Sequence, residues 1–258
     1  MSLHRCHELF DIKTDNFGNP LKHKCRLVLQ GNTQKYGESY FEVYAPVTTP
    51  EAIRILFSVA NQCDWGLRQF DFSTAYLNAP LEEEIDAYPP IGVEDPDGLG
   101  RIWRLIKSLY GAKQSARNWN SLLATLFREF GLRLISEAHY VWANDDFILA
   151  THVDDLALAY RNEFSLEKFK QFFAERNCIM NDLGEISQFW ALKYTEIALV
   201  GYFKLLRPDL SNNRLNVILC LMPNHVLFLW TLVLNSLAKM NQNAMNKKRN
   251  NITKFWAL

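Results

Sequence analysis

The stretch Phe147-Ile148-Leu149-Ala150-Thr151-His152-Val153-Asp154-Asp155-Leu156-Ala157-Leu158-Ala159-Tyr160 decides how this chain is read. Two short apolar runs flank an acidic dipeptide, the pattern of two buried strands joined by a tight turn. Immediately upstream, Tyr140-Val141-Trp142 and the polar turn from Ala143 to Asp146 predict a further strand in the same meander. Downstream, Ser165 is expected to cap a helix that carries Leu166, Phe169, Phe172 and Phe173 to the core.

Further out the signals alternate between helix and strand. Trp119, Leu122, Leu123, Leu126, Phe127 and Phe130 share one helical face, and Gly131 stands where a helix C-terminus favours glycine. Thr49-Pro50-Glu51 supplies a cap, a proline at the first helical position and a first-turn acid ahead of Ile53, Leu56, Phe57 and Ala60. Those signals predict a helix of about 13 residues ending at Gly66. Leu67 to Phe72 then reads as a short buried strand containing Asp71. Near the N-terminus, Phe10 to Gln34 holds a turn at Asn16-Phe17-Gly18-Asn19-Pro20 and a basic returning strand, Lys22-His23-Lys24-Cys25-Arg26, so a hairpin is expected. Pro89-Pro90 and the Gly/Asp/Pro cluster from Gly92 to Gly100 predict a loop. Helices interspersed with hairpins argue an α+β fold, an antiparallel sheet with helices packed on one face.

Composition agrees with a folded chain: 258 residues, 48% hydrophobic and 22% charged, can bury a core and exclude disorder over the whole length. Lys+Arg and Asp+Glu are each 28, but the segment from Glu196 to Leu258 holds eight basic residues against two acids and ten asparagines. Residues 10–195 are therefore expected to form one domain, and 196–258 a basic, Asn-rich tail of different character. Within that tail Leu215 to Ala238 is free of Asp, Glu, Lys and Arg, and Pro223-Asn224-His225 interrupts it near the middle, where a membrane span least tolerates polar groups. No clear membrane partner is expected, and an anchored protein stays open as an alternative. The cysteines, Cys6, Cys25, Cys63, Cys178 and Cys220, are odd in number and widely spaced, which argues against a disulfide scaffold or a zinc module. Residues 1–20 carry no apolar core of a secretory leader, so the expected compartment is the cytoplasm or nucleus.

Chemistry points to Asp71 and the Asp154-Asp155 pair. Carboxylates at the ends of apolar strands repel one another when brought together, unless cations neutralise them. Hard oxygen ligands of this kind suit Mg²⁺, with Mn²⁺ equally acceptable to the same donors. Two such ions stabilise the attacking and leaving oxygens of an in-line phosphoryl displacement.

Six segments, in order, resemble the reverse transcriptase of copia-type long-terminal-repeat retrotransposons. They are Lys22 to Gln34, with its basic start and Leu27-Val28 and Gly31 to Gln34; Tyr44-Ala45-Pro46-Val47; Gln69-Phe70-Asp71-Phe72-Ser73-Thr74-Ala75-Tyr76-Leu77-Asn78; Leu109-Tyr110-Gly111-Ala112-Lys113-Gln114-Ser115-Ala116-Arg117-Asn118-Trp119; His152-Val153-Asp154-Asp155; and Asp182-Leu183-Gly184-Glu185. The resemblance implies the fingers and palm of a right-hand polymerase within a Pol polyprotein. It implies an RNA-directed DNA polymerase, a nucleotidyltransferase acting with Mg²⁺, with an RNA or DNA template, a primer and deoxynucleoside triphosphates as partners.

Carried over by position, Asp71, Asp154 and Asp155 are the palm carboxylates, of which Asp71 and Asp154 are expected to ligate metal directly. Lys24, Arg26, Tyr76, Lys113, Gln114 and Arg117 are the nucleotide-binding set. Tyr76 packs beneath the incoming sugar, and Lys24 and Arg26 reach the triphosphate. The chain departs from the family at His152 for Tyr, Asn32 for Phe, Ala116 for Pro and Phe189-Trp190-Ala191 for Phe-Leu-Gly. A catalytically inactive retroelement remnant that at most binds nucleic acid is the alternative.

Overall fold

A computed structural model describes residues 3–15, 17–93, 100–137, 139–186 and 189. In chain order the elements begin with β1 (Leu3–Thr14), β2 (Pro20–Leu29), a 3₁₀ turn (Gly31–Thr33), α1 (Pro50–Cys63), β3 (Gly66–Phe72) and α2 (Ala75–Asn78). There follow β4 (Pro80–Tyr88), β5 (Trp103–Lys107), α3 (Ser115–Glu129), β6 (Arg133–Ser136) and β7 (Val141–Ala143). The last are β8 (Phe147–His152), β9 (Asp155–Tyr160), α4 (Glu163–Glu175) and β10 (Met180–Glu185). The described residues fall into two compact units, one from those up to Ala45 together with Thr74–Ala124, the other from Pro46–Ser73 together with those from Thr125 onward. Among the described residues no helix is long and apolar enough to cross a membrane. The residues from 94 to 99, and the tail from 196 onward with its Leu215 to Ala238 stretch, lie outside the described residues.

The first unit holds a four-stranded sheet in the order β2-β1-β4-β5. The N-terminal hairpin forms as expected, with Cys6 opposite Leu29 and Asp11 opposite Lys24. Its turn is fastened by Asp15, whose carboxylate accepts from the Phe17 and Asn19 N–H groups at 2.8 and 2.9 Å. The β1–β4 pairing is parallel, which departs from the expected all-antiparallel sheet; only Leu3 to Arg5 take part. Cys6, Leu29, Ile85, Ala87, Leu109 and Ala112 form this unit's apolar core.

The second unit is a six-stranded sheet, β10-β3-β9-β8-β7-β6, antiparallel throughout. The meander read from the sequence is present, and so is the expected start of α1, where the Thr49 hydroxyl takes the Ala52 N–H at 3.4 Å. The helix ends earlier than Gly66, because Asp64 adopts the left-handed conformation (φ 58°) and lets the Trp65 N–H reach the Ala60 carbonyl at 2.9 Å. Gly131 closes α3 as expected, at φ 88°, with the Leu132 N–H on the Phe127 carbonyl. The cap of α4 is Asn162 rather than Ser165: the Asn162 side chain accepts the Ser165 N–H at 2.9 Å, and the Ser165 hydroxyl turns to Asp146 instead.

Helices cover both faces of this sheet, which corrects the expectation of one. Alternation along β9 explains it: Ala157 and Ala159 join Ile148, Ala150, Val141 and the α1 residues Ile53, Leu56, Phe57 and Ala60 in one core. On the opposite face lies an aromatic layer. Phe70 and Phe147 pack on Phe169, Phe72 on Phe173, and Phe127 on Trp142, with ring centroids 5.4–6.4 Å apart.

Candidate functional site

Asp71 lies one residue before the end of β3, where Phe70 and Phe72 turn into the aromatic layer and Asp71 therefore faces the other way. Register places it directly opposite Asp155, the first residue of β9. On its other side it stands opposite Asn181 of β10, and beyond Asp155 comes His152 of β8. Cross-strand partners share a face, so Asn181, Asp71, Asp155 and His152 form one transverse row. Asn181 donates its amide to Asp71 Oδ2 at 3.2 Å and to Ser73 Oγ at 2.9 Å.

Asp154 occupies the turn between β8 and β9, and its carbonyl accepts the Phe72 N–H at 2.8 Å, which ties the turn to the end of β3. Val153 takes φ 59°, a conformation that costs a β-branched residue on the order of 1–3 kcal/mol and occurs where the surroundings over-determine the backbone.

Electrostatics records the crowding. Burial pushes the Asp155 carboxyl above its usual range, and the charges of Asp154 and Asp71 push the same way, against a Gln69 hydrogen bond and His152. Burial likewise holds His152 below the ordinary imidazole value although Asp155 and Asp154 pull it up. Among the described residues, no three His, Cys, Asp or Glu side chains form a ready-made metal cluster. Asp71 and Asp155 face each other at one end of the interior strands β3 and β9, and Asp154 stands in the adjoining turn, so hard carboxylate donors gather there.

On the strand next to Asp71, Asp182 is held by ion pairs. Burial would raise its pKa, but hydrogen bonds from Arg68 (2.8 Å), Lys170 (2.9 Å) and the Gly184 N–H (2.9 Å) bring it down to about 2.

The nucleotide-binding candidates all belong to the first unit. Arg26 on β2 stands with its guanidinium 5.8 Å from the ring centroid of Tyr110, and Tyr76 on α2 packs on the same ring at 5.0 Å. Lys24 lies two residues before Arg26, on the same face of the hairpin and opposite Asp11. Two glycines allow the Lys22–Gln34 and Leu109–Trp119 segments to meet. A Cβ on Gly31 would strike the Gly111 carbonyl, and one on Gly111, at φ 85°, would strike the Leu29 carbonyl.

Gln114 is fully buried, accepts from the Gln34 amide at 3.0 Å and donates to the Ser39 carbonyl and Glu83, so it braces the segment from within. Lys113 reaches the Gln34 carbonyl and the Tyr40 hydroxyl, and its ammonium lies 4.5 Å from the Tyr40 ring centroid. Arg117 pairs with Glu42 at 2.8 Å. Sequence reading missed Asn181, Gln34 and Tyr110. The last two lie inside quoted motifs, whereas Asn181 carries no signal beyond standing next to Asp182.

A family model described as reverse transcriptase (RNA-dependent DNA polymerase) matches residues 6–215. The chain is 30% identical over 194 residues, 73% of its length, to the retrovirus-related Pol polyprotein from transposon TNT 1-94 of Nicotiana tabacum. It is 35% identical over 126 residues, 49% of its length, to the retrovirus-related Pol polyprotein from transposon RE2 of Arabidopsis thaliana. The transposon Ty1-BL Gag-Pol polyprotein of Saccharomyces cerevisiae is 30% identical over 143 residues, 54% of the chain. These matches span 14%, 9% and 8% of the respective polyproteins. A match over most of the chain, on the strands and turns that carry the acidic row, means that the chain belongs to the reverse transcriptase (RNA-dependent DNA polymerase) family.

Proposed function

We propose that the chain is the fingers and palm of a copia-type RNA-directed DNA polymerase, adding deoxynucleotides to a primer 3′-hydroxyl. The observation that carries this reading is the pairing of Asp71 with Asp155 across β3 and β9, with Asp154 in the adjoining turn. Residues 10–195 form the polymerase part and 196–258 a separate tail; cytoplasm or nucleus is the compartment.

The acidic row fits divalent metal: burial, and after it the charges of Asp154 and Asp71, raise the Asp155 carboxyl, and a cation at that spot relieves both. Asp71 and Asp154 would hold Mg²⁺ or Mn²⁺, together with substrate phosphates, as Mg²⁺ sites normally combine one or two carboxylates with phosphate. The ions would supply activation of the primer hydroxyl and charge stabilisation at the leaving pyrophosphate. Asn181 fixes the orientation of Asp71 through its amide. In the first unit, the Arg26 guanidinium offers a fork to the triphosphate, Lys24 adds a point charge and Tyr76 packs under the sugar.

Primer extension on an RNA template with Mg²⁺ tests the reading. Activity should disappear with Asp154→Asn, and activity unchanged by that substitution rejects the assignment. His152, half-buried beside the acids where the family carries Tyr, with burial holding its imidazole below the ordinary value, favours a second reading in which the fold persists without catalysis. That reading predicts primer–template binding with no extension from the wild-type chain.

A further inference from the structure

We infer that Gln69 is a positioning residue for the acidic row, holding Asp155 through a neutral amide so that the carboxylate charge stays available to a cation; this rests on the polymerase reading above, through the cation site it assigns. Gln69 stands on β3 two residues before Asp71 and therefore on the same face. Register places it opposite Ala157 of β9 on one side and Gly184 of β10 on the other. Ala157 in turn stands opposite Ala150 of β8, and Ala150 opposite Val141 of β7. The row next to the acids thus reads Gly184, Gln69, Ala157, Ala150, Val141, and within it Gln69 alone carries a polar side chain.

That row is the border between apolar and acidic ground. Ala157, Ala150 and Val141 join the α1 residues in one core, where an amide pointing inward would lose its hydrogen bonds. The Gln69 amide turns the other way and donates to Asp155, its diagonal neighbour across β3 and β9. A long side chain spans such a diagonal, and glycine and alanine on either side are too short to stand in its path.

The choice of an amide is informative because the same strands use cations elsewhere. One residue earlier on β3 and on the opposite face, Arg68 pairs with Asp182 at 2.8 Å, and Lys170 pairs with it at 2.9 Å. A carboxylate held that way has its charge balanced by side chains. Asp71 and Asp155 are held by the amides of Asn181 and Gln69 instead. An amide donor replaces water lost to the half-buried Asp155 and fixes its rotation, yet brings no positive charge to compete with a metal.

The test titrates Mn²⁺ alone into the full chain, without primer or nucleotide, and reads free Mn²⁺ by electron paramagnetic resonance; Mn²⁺ accepts the same oxygen donors as Mg²⁺. Compared are wild type, Gln69→Met, Asp155→Asn and the double variant, each with a thermal melt in EDTA. Gln69→Met keeps the length of the side chain without a donor and should weaken Mn²⁺ binding about tenfold, the scale on which losing a partner of a metal-site group is felt. The double variant should bind no more weakly than Asp155→Asn alone, because Gln69 acts through Asp155. Should Gln69→Met fail to fold, Gln69→Ala removes the donor and takes its place. A lowered melt with unchanged Mn²⁺ affinity in the methionine or alanine variant marks a merely structural role and overturns the inference, as do additive losses in the double variant; with primer extension by the wild type intact, the polymerase reading stands. A wild-type chain that binds no Mn²⁺ and extends no primer overturns that reading, and this inference with it.

Discussion

Replacing Asp182 by Asn removes a charge that three donors hold in place next to the acidic row. Arg68 Nε and Lys170 Nζ lie 2.8 and 2.9 Å from its two oxygens, and its side chain is 27% exposed. Its folded pKa of about 2, against an ordinary 3.8, corresponds to about 2 kcal/mol of stability at neutral pH. Partial exposure of Arg68 and Lys170 trims this to about 1–2 kcal/mol. A depressed carboxylate stabilises the fold above its unfolded pKa, and that contribution fades as pH falls from about 4 through about 2. Asp182→Asn should therefore unfold at lower urea than wild type at pH 7, with the gap narrowing below pH 4 and closing near pH 2. Tryptophan fluorescence during urea titration at several pH values reads this directly. A gap of the same size at pH 7 and pH 2.5 refutes the reasoning, since it would place the loss in packing or in hydrogen bonds that do not titrate.

Other substitutions probe separate layers. Gly111→Ala should destabilise by well over 1 kcal/mol in chemical denaturation, because φ 85° and the Leu29 carbonyl both oppose a Cβ. Phe169→Ala removes a fully buried ring that touches Phe70, Phe147 and Phe173, and a loss of about 3–5 kcal/mol is expected in the same assay. Asn181→Leu should leave the melt within about 1 kcal/mol of wild type, the side chain being exposed, yet raise the Mg²⁺ concentration needed for primer extension by loosening Asp71.

What the sequence conveys follows from what each position has to satisfy. The meander around Asp154-Asp155 and the helix from Ser115 to Glu129 are legible because their buried residues recur at strand and helix spacing. The acidic row is legible only through the motif order, since no spacing rule states that residues 71 and 155 stand opposite each other. β4 escapes notice because Glu82, Glu83 and Glu84 mask the inward positions Ile85 and Ala87, and β10 because its residues are mostly exposed. Asn162 and Ser165 are both good capping types, so only the geometry separates the residue that accepts from the one that donates. Gln114 is read from its motif as a nucleotide contact, and nothing local in the sequence signals that Gln34, Ser39 and Glu83, distant in the chain, satisfy its amide.

The alternation Leu156-Ala157-Leu158-Ala159 encodes both faces of the sheet at once. Large residues face the aromatic layer, while the small ones admit α1 close to the strand, which is why the helices are not confined to one side. Ala157 and Asp155 share a face two residues apart, so the packing of α1 on Ala157 sets how firmly the acidic row is supported from below. Ala157→Leu adds bulk where the alanine is fully buried, and overpacking of this kind costs about 1–3 kcal/mol. The same substitution should depress primer extension more than Leu158→Met, a volume-conserving change on the opposite face. If Ala157→Leu melts like wild type, the helix lies further from the strand than the alanines imply, and support of the acids must come from β10 and β3 alone.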